Sequence, residues 1–203
     1  MRLGLFGGSF DPIHRGHLEP VDAAREALSL DRVVYLPTAR PPHKRDRRFA
    51  PPYARFTMVE LALLDRPSSF ASAFELTPGR RAYSVDTVRH FRERCPDSEL
   101  FLLLGADSLA GFHTWRRWQE IAQMAELIVL ARPGWSMDQI PEDVPRELRE
   151  LIAGKRVHAV ENPPLDFSSS GLRRLLAEDP AAAAPMLPGL VLRYINKYAL
   201  YRG

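Results

Sequence analysis

Apolar positions along the chain fall into short continuous runs, separated by longer stretches in which they recur every three or four residues. Arg2 to Phe6 (RLGLF), Arg32 to Pro37 (RVVYLP), Glu99 to Leu104 (ELFLLL), Glu126 to Ala131 (ELIVLA) and Arg156 to Val160 (RVHAV) have the length and content of buried strands. Ser69 to Leu76 (SFASAFEL) alternates like a further strand. Between these runs, Leu18, Val21, Ala24, Arg25 and Leu28 stand near helical spacing. So do Phe56, Val59 and Leu63 within Tyr53 to Leu64, and Val88 and Phe91 after Tyr83. Alternating strand and helix predicts an α/β fold, a doubly wound, Rossmann-like parallel sheet of about five strands. Beyond residue 165 the pattern is helical, and Val191, Leu192, Ile195 and Ala199 mark a closing helix after Pro188. The chain is therefore expected to be one domain, 1–203, in which about 165–203 form a small helical carboxyl-terminal part. Ser136 to Gly154 is charged and broken by proline; it reads as an excursion with a short helix near Arg146 to Ile152 and carries no chemistry.

Composition narrows the function classes. The single cysteine, Cys95, can form no internal disulfide and has no cysteine or histidine cluster near it, which fits a reducing compartment and excludes a zinc site of the usual spacing. No apolar run reaches membrane-spanning length, and Met1-Arg2 leads straight into the first strand rather than into a signal peptide, so a cytoplasmic protein without a membrane partner is expected. The net charge of +3 is carried by arginine, since Lys44, Lys155 and Lys197 are the only lysines. That mild excess favours small anions. A nucleic-acid partner is not expected, because the one dense basic run is short and lacks a face of interleaved aromatics.

The chemistry concentrates in GGSFDPIHRGH, Gly7 to His17, which joins the first strand to the first helix. Gly7 and Gly8 let backbone N–H groups approach an anion closely, and the helix start adds unpaired donors and a favourable dipole. His14 and His17, three residues apart across Gly16, can point side-chain donors at one small volume. Taken alone, the pair also reads as a helix-capping turn with two surface histidines; the glycines, the proline and the position after the first strand favour the phosphate site. A second helix start carries three hydroxyls at Ser168-Ser169-Ser170, followed by Gly171, Leu172, Arg173 and Arg174. Arg174 reads as solvated surface. Ser84 and Asp86 are candidate caps of the helix they begin, and Asp107 of the helix after the ELFLLL strand. Of the two tryptophans in Phe112 to Trp118, Trp118 is the better core candidate.

Gly7 to His17 resembles the signature loop of the nucleotidyltransferases that carry an H-x-G-H motif, and within them the bacterial nicotinate-mononucleotide adenylyltransferases; similarity continues to the last residues, except over Ser136 to Asn162. The resemblance implies that His14, His17, Lys44 and Arg173 are catalytic. It implies an ATP site at Gly7, Gly8, Ser9, Phe10, Gly105, Asp107, Ser168 and Ser169, with Asp107 accepting ribose hydroxyls. Thr38, His43, Ser84, Asp86, Thr87, Trp115 and Arg116 would contact the mononucleotide. Pro41-Pro42-His43-Lys44 matches a loop laid over the substrate phosphates, and Tyr83-Ser84-Val85-Asp86-Thr87 matches a Y-T-x-D-T segment. Trp115 matches a tryptophan stacked on the pyridine ring, while Thr38 stands where many relatives have asparagine and Ala82 where serine is common. The implied reaction moves the adenylyl group of ATP, with Mg2+ carried by ATP, onto nicotinate mononucleotide to give nicotinate adenine dinucleotide and pyrophosphate. A preference for the pyridine carboxylate over its amide would come from backbone N–H donors around Ser84 to Thr87 and beside Trp115.

Other readings of the same loop stay open at this point. Phosphopantetheine adenylyltransferases usually have threonine in place of His14, and cytidylyltransferases end in a different serine-rich motif. Nicotinamide mononucleotide is an alternative acceptor. A class I tRNA synthetase relative would also carry a K-M-S-K-S-like loop, which is absent. A non-catalytic nucleotide sensor or an RNA-binding module could use the same fold.

Overall fold

The computed structural model describes residues 1–39, 49–77, 83–132, 134–140, 144–162 and 168–202. The expected residues His43 and Lys44 lie outside them, as do Ala82 and the segment 163–167. In order, the elements are β1 (Arg2–Gly8), α1 (Arg15–Ala27), β2 (Arg32–Pro37), α2 (Pro52–Leu63), β3 (Ser69–Ala71), α3 (Ser84–Arg94) and β4 (Glu99–Gly105). They continue with α4 (Ala106–Ala110), α5 (Trp118–Met124), β5 (Glu126–Ala131), α6 (Arg146–Ala153), β6 (Val157–Glu161), α7 (Ser169–Glu178), α8 (Pro180–Ala183) and α9 (Gly189–Lys197).

Among the described residues the sheet has six strands in the order β3-β2-β1-β4-β5-β6. That is the order of a doubly wound α/β sheet, in which the chain leaves β1 in one direction and resumes beside it in the other. The β1–β4, β4–β5 and β5–β6 ladders are parallel. Leu5, Phe101, Leu103, Ile128 and Val129 are buried, as strands covered on both faces require.

Three local expectations change. The sheet holds six strands rather than about five, and its edge strand β3 stops at Ala71, where an alternating pattern predicts extension to Leu76. The Ser72 hydroxyl accepts the Phe74 N–H at 3.3 Å and the chain turns into a 3₁₀ helix over Phe74–Leu76. This is the usual competition of a serine side chain with a ladder. Gly7 and Gly8 end β1 instead of opening the loop: the Gly8 carbonyl accepts both the Thr38 N–H (2.9 Å) and the Thr38 hydroxyl (3.2 Å). Glycine is required at Gly8, because an added Cβ would lie 2.8 Å from the Phe10 ring.

The chain packs as two compact units. The first comprises Met1–Gly7, Pro20–Val34 and Tyr83–Pro164, the second Gly8–Glu19, Tyr35–Ala82 and Leu165–Gly203. In the first, Phe112 and Trp118 pack edge to face with centroids 5.8 Å apart, and Trp118 is buried as expected. In the second, α2 lies against β3 and α9. The buried face of α2 is Arg55, Met58, Val59, Ala62 and Leu63, so Val59 and Leu63 are buried as expected, while Arg55 rather than Phe56 begins the stripe.

Arg55 has no exposed surface. Its guanidinium donates to four backbone carbonyls, those of Ser9, Thr38 (2.7 Å), Ala39 (3.0 Å) and Ala50 (3.0 Å). Burial pulls its pKa below the ordinary value, and the neighbouring Asp11 carboxylate opposes that. Replacing Arg55 with methionine would leave four carbonyls unanswered and Asp11 with Arg173 as its remaining neighbouring cation. We expect Arg55→Met to lose about 3 kcal/mol or more in urea unfolding. A loss below about 1 kcal/mol would show that the carbonyls find other donors.

Candidate active site

The second unit brings together the two helix starts singled out in the sequence. His14 precedes α1, and its carbonyl accepts the N–H groups of His17 (2.8 Å) and Leu18 (3.3 Å). Arg15 and Gly16 therefore stand before the first intrahelical bond, where N–H groups are available to an anion. Ser168 caps α7, its hydroxyl accepting the Gly171 N–H at 3.2 Å. The next hydroxyl, Ser169, lies 3.0 Å from His14 Nε2. That contact spans 155 residues of sequence and joins the two helix N-termini.

The histidines are held as a pair. Their rings stack with centroids 3.8 Å apart, and the His14 N–H donates to His17 Nδ1 at 3.3 Å. A ring nitrogen that accepts carries no proton, so the N–H of neutral His17 sits on Nε2, the atom turned away from its own backbone. Phe10, at φ +44°, is fully buried with its ring edge-on to His17 at 5.3 Å. It was expected among the ATP contacts, yet its side chain is spent supporting Gly8 and His17. Ser9 offers its carbonyl to Arg55.

His14 is 4% exposed, and burial pushes its pKa down to about 4. At neutral pH it is an uncharged imidazole bonded to Ser169, a hydrogen-bonding group rather than a cation. Arg173 is the charge at this place. Its Nη1 donates to the Asp11 carbonyl (2.7 Å) and meets the Asp11 carboxylate at 3.3 Å, and Nη2 is 3.4 Å from the Ser170 hydroxyl. Arg174 is exposed, as expected. Asp11 itself is fully buried and accepts the Ala50 N–H (3.0 Å) and the Tyr201 hydroxyl (2.8 Å) on Oδ1. Sequence reading gives no role to Asp11, Arg55 or Tyr201, although Asp11 lies within GGSFDPIHRGH and Tyr201 ends the last matched segment; Arg55 stands as a charge in the apolar register of α2.

Thr38 also belongs to the second unit, and its hydroxyl is used by Gly8. The remaining expected residues among those described belong to the first unit. An added Cβ at Gly7 or Gly105 would meet nothing within 4 Å among the described residues, so neither glycine is demanded by packing. Asp107 is exposed in the first turn of α4. Ser84 is the first residue of α3, but neither it nor Asp86 caps the helix: Tyr83 holds that position without a side-chain bond. Asp86 pairs with Arg89 at 3.2 Å, and Arg89 also pairs with Glu120. Thr87 is buried. Trp115 is half-buried against Phe112 at 5.5 Å, and Arg116 lies 4.6 Å over the Tyr83 ring. The N–H groups of Asp86, Thr87 and Trp115 donate to the carbonyls of Tyr83 and Phe112. Among the described residues, of the donors expected to read a pyridine carboxylate this leaves those at Ser84 and Val85, before the first intrahelical bond of α3, and that of Arg116 beside Trp115.

Because His14 is neutral when folded and takes a proton near its ordinary 6.5 when unfolded, its contribution is complete above about pH 6.5 and is lost as pH falls toward about 4. Between about pH 7.5 and about pH 4.5, urea unfolding of the wild type should lose about 2 to 3 kcal/mol more than that of His14→Asn. Equal losses would mean that His14 is not held neutral.

Comparisons with known proteins agree with this arrangement. The family model described as cytidylyltransferase-like matches residues 5–175, from β1 into α7. The protein named "Probable nicotinate-nucleotide adenylyltransferase" of Citrifermentans bemidjiense is 37% identical over 216 residues, covering 99% of this chain and 98% of the relative. A protein of the same name from Thermus thermophilus is 39% identical over 202 residues and 100% of both chains. Among solved structures, the nicotinic acid mononucleotide adenylyltransferase of Plasmodium falciparum complexed with NaAD has the same fold. Its TM-score is 0.77 at 18% identity, over 98% of this chain and 97% of that one. With the H-x-G-H loop and the serine-rich helix start joined in one place, and with relatives matched from end to end, this chain belongs to the cytidylyltransferase-like family, in the branch of the nicotinate-nucleotide adenylyltransferases.

Proposed function

We propose that this chain transfers the adenylyl group of ATP to nicotinate mononucleotide, releasing pyrophosphate and forming nicotinate adenine dinucleotide, as a cytoplasmic enzyme of NAD biosynthesis. The observation that carries the reading is the 3.0 Å contact between His14 and Ser169, which puts two helix N-termini and two histidines at one place. The full-length relatives carry the matching name.

The acceptor brings its own nucleophile. Its 5′-phosphate oxygen attacks the α-phosphorus of ATP, and the bond from that phosphorus to the oxygen it shares with the β-phosphorus breaks in line, that oxygen leaving as a terminal oxygen of pyrophosphate. The protein has only to hold two anions together and meet charge as it moves to the leaving group. His17 would do so through Nε2–H, Arg173 and Lys44 as cations, and His14 as a neutral hydrogen-bonding group. Gly7, Gly8, Ser9, Phe10, Gly105, Ser168 and Ser169 are proposed for ATP, with Asp107 accepting ribose hydroxyls. Thr38, His43, Ser84, Asp86, Thr87, Trp115 and Arg116 are proposed for the mononucleotide, Trp115 by stacking. Among the described residues no three histidine, cysteine, aspartate or glutamate side chains gather as a metal site. Mg2+ would arrive as part of the substrate, on the phosphates of ATP. No helix among the described residues is long and apolar enough to cross a membrane.

His17→Ala should lower kcat about 10²- to 10³-fold while ATP binding weakens far less, since a donor aimed at developing charge matters most when that charge appears. Near-normal turnover in a folded variant would reduce His17 to a cap. Substrate choice gives a second test. N–H donors at Ser84 and Val85 satisfy a carboxylate but leave an amide NH₂ facing donors, so kcat/KM should favour nicotinate over nicotinamide mononucleotide by roughly 10²- to 10⁴-fold. Trp115→Ala should depress both substrates alike. Values for the two mononucleotides within a few-fold of each other would mean that no carboxylate site of this kind exists.

A further inference from the structure

Tyr201 has a feature that anchoring the last residues does not require. Its backbone is left-handed at φ +67°, two residues after Ala199 at φ +48°, conformations that a side chain with a Cβ adopts only where its surroundings fix it. The conformation delivers the phenol to the Asp11 carboxylate, 190 residues away in sequence, with Oη to Oδ1 at 2.8 Å. Burial, and then the Asp11 charge, push the phenol above its ordinary pKa, so it is a fixed donor at any working pH.

Asp11 has two oxygens and unequal company. Among the described residues, Oδ1 takes Tyr201 and the Ala50 N–H, whereas Oδ2 has one long contact, 3.3 Å, to Arg173 Nη1, which also donates to the Asp11 carbonyl at 2.7 Å. A carboxylate and a guanidinium left to themselves close as a fork with two short parallel bonds. Here the fork is open, and among the described residues Nη2 of Arg173 has a 3.4 Å contact to the Ser170 hydroxyl and no other. Arg173 thus keeps donors and charge for another anion.

We infer that Tyr201 is a positioning residue for Arg173: by occupying Oδ1 it keeps Asp11 from closing on the guanidinium, which leaves Arg173 able to bind a nucleotide phosphate. The inference rests on the proposed adenylyl transfer, in which Arg173 meets such a phosphate. Without the hydroxyl, Oδ1 loses a donor at a fully buried position, and the guanidinium of Arg173, already on Oδ2, would be drawn onto it. A purely structural Tyr201 would steady the last helix and leave anion affinity alone.

The test measures inorganic pyrophosphate binding by calorimetry to the full chain, wild type and Tyr201→Phe, together with steady-state kinetics and thermal unfolding. Tyr201→Phe should weaken pyrophosphate binding about 10- to 100-fold, the loss of one or two charge-assisted hydrogen bonds. KM for ATP should rise by a similar factor, with kcat changed by less than about threefold, as for a contact made equally in the ground and transition states. Arg173→Met should lose pyrophosphate affinity too, and the double variant no more than Arg173→Met alone, because Tyr201 acts through that side chain. Unchanged pyrophosphate affinity in a folded Tyr201→Phe, or full additivity with Arg173→Met, overturns the inference. A wild type that makes no dinucleotide overturns the functional reading instead, and the binding arm separates the two failures.

Discussion

A buried guanidinium sets the terms for the unit that carries the histidines. Taking Arg55 out of water costs several kcal/mol unless every donor is answered, and this chain answers with backbone rather than with acid. The four carbonyls come from Ser9, from Thr38 and Ala39 at the end of β2, and from Ala50, which precedes α2. Those positions flank the histidine loop on one side and the stretch bearing His43 and Lys44 on the other. Asp11 supplies the compensating charge, and its own lone pairs are taken by Ala50, Arg173 and Tyr201. One cation thus fixes the backbone from which the candidate catalytic side chains project, and its counter-ion passes that order on to α7 and to the last residues.

Local chemistry makes the strands legible. RVVYLP and ELIVLA fill β2 and β5 from end to end because the buried positions after their first, charged residue must all be apolar. Alternation over Ser69 to Leu76 misleads because three residues suffice for an edge, and the Ser72 hydroxyl then diverts the chain. The glycines of GGSFDPIHRGH read as loop, though Thr38 pairs with Gly8 and prolongs β1. Ser84 and Asp86 look like helix caps, but Arg89 reaches Asp86 first.

The site is legible where its residues sit in one motif and hidden where they meet across the chain. His14, His17 and the three serines announce themselves by spacing. Asp11, by contrast, looks like one more turn residue beside a proline, and Tyr201 like the end of an amphipathic pattern. Their hydrogen bond has no sequence period to betray it. Arg55 is the one readable anomaly, since a charge in step with Met58, Val59 and Ala62 must be buried and must therefore be answered.

Charge at the histidines follows from the same burial. Burial disfavours a charged His14, so in the proposed reaction the positive field needed by two phosphates would come from Arg173, from Lys44 and from the helix starts. Such a site has no need of a side-chain nucleophile, and its catalysis is one of holding and neutralising. The most direct measurement follows isotope from ATP labelled at the α-phosphorus, with Mg2+ and nicotinate mononucleotide. The account predicts that the label appears in the dinucleotide and that unlabelled pyrophosphate is released in equal amount. Label in free AMP, or ATP returned intact, would contradict it.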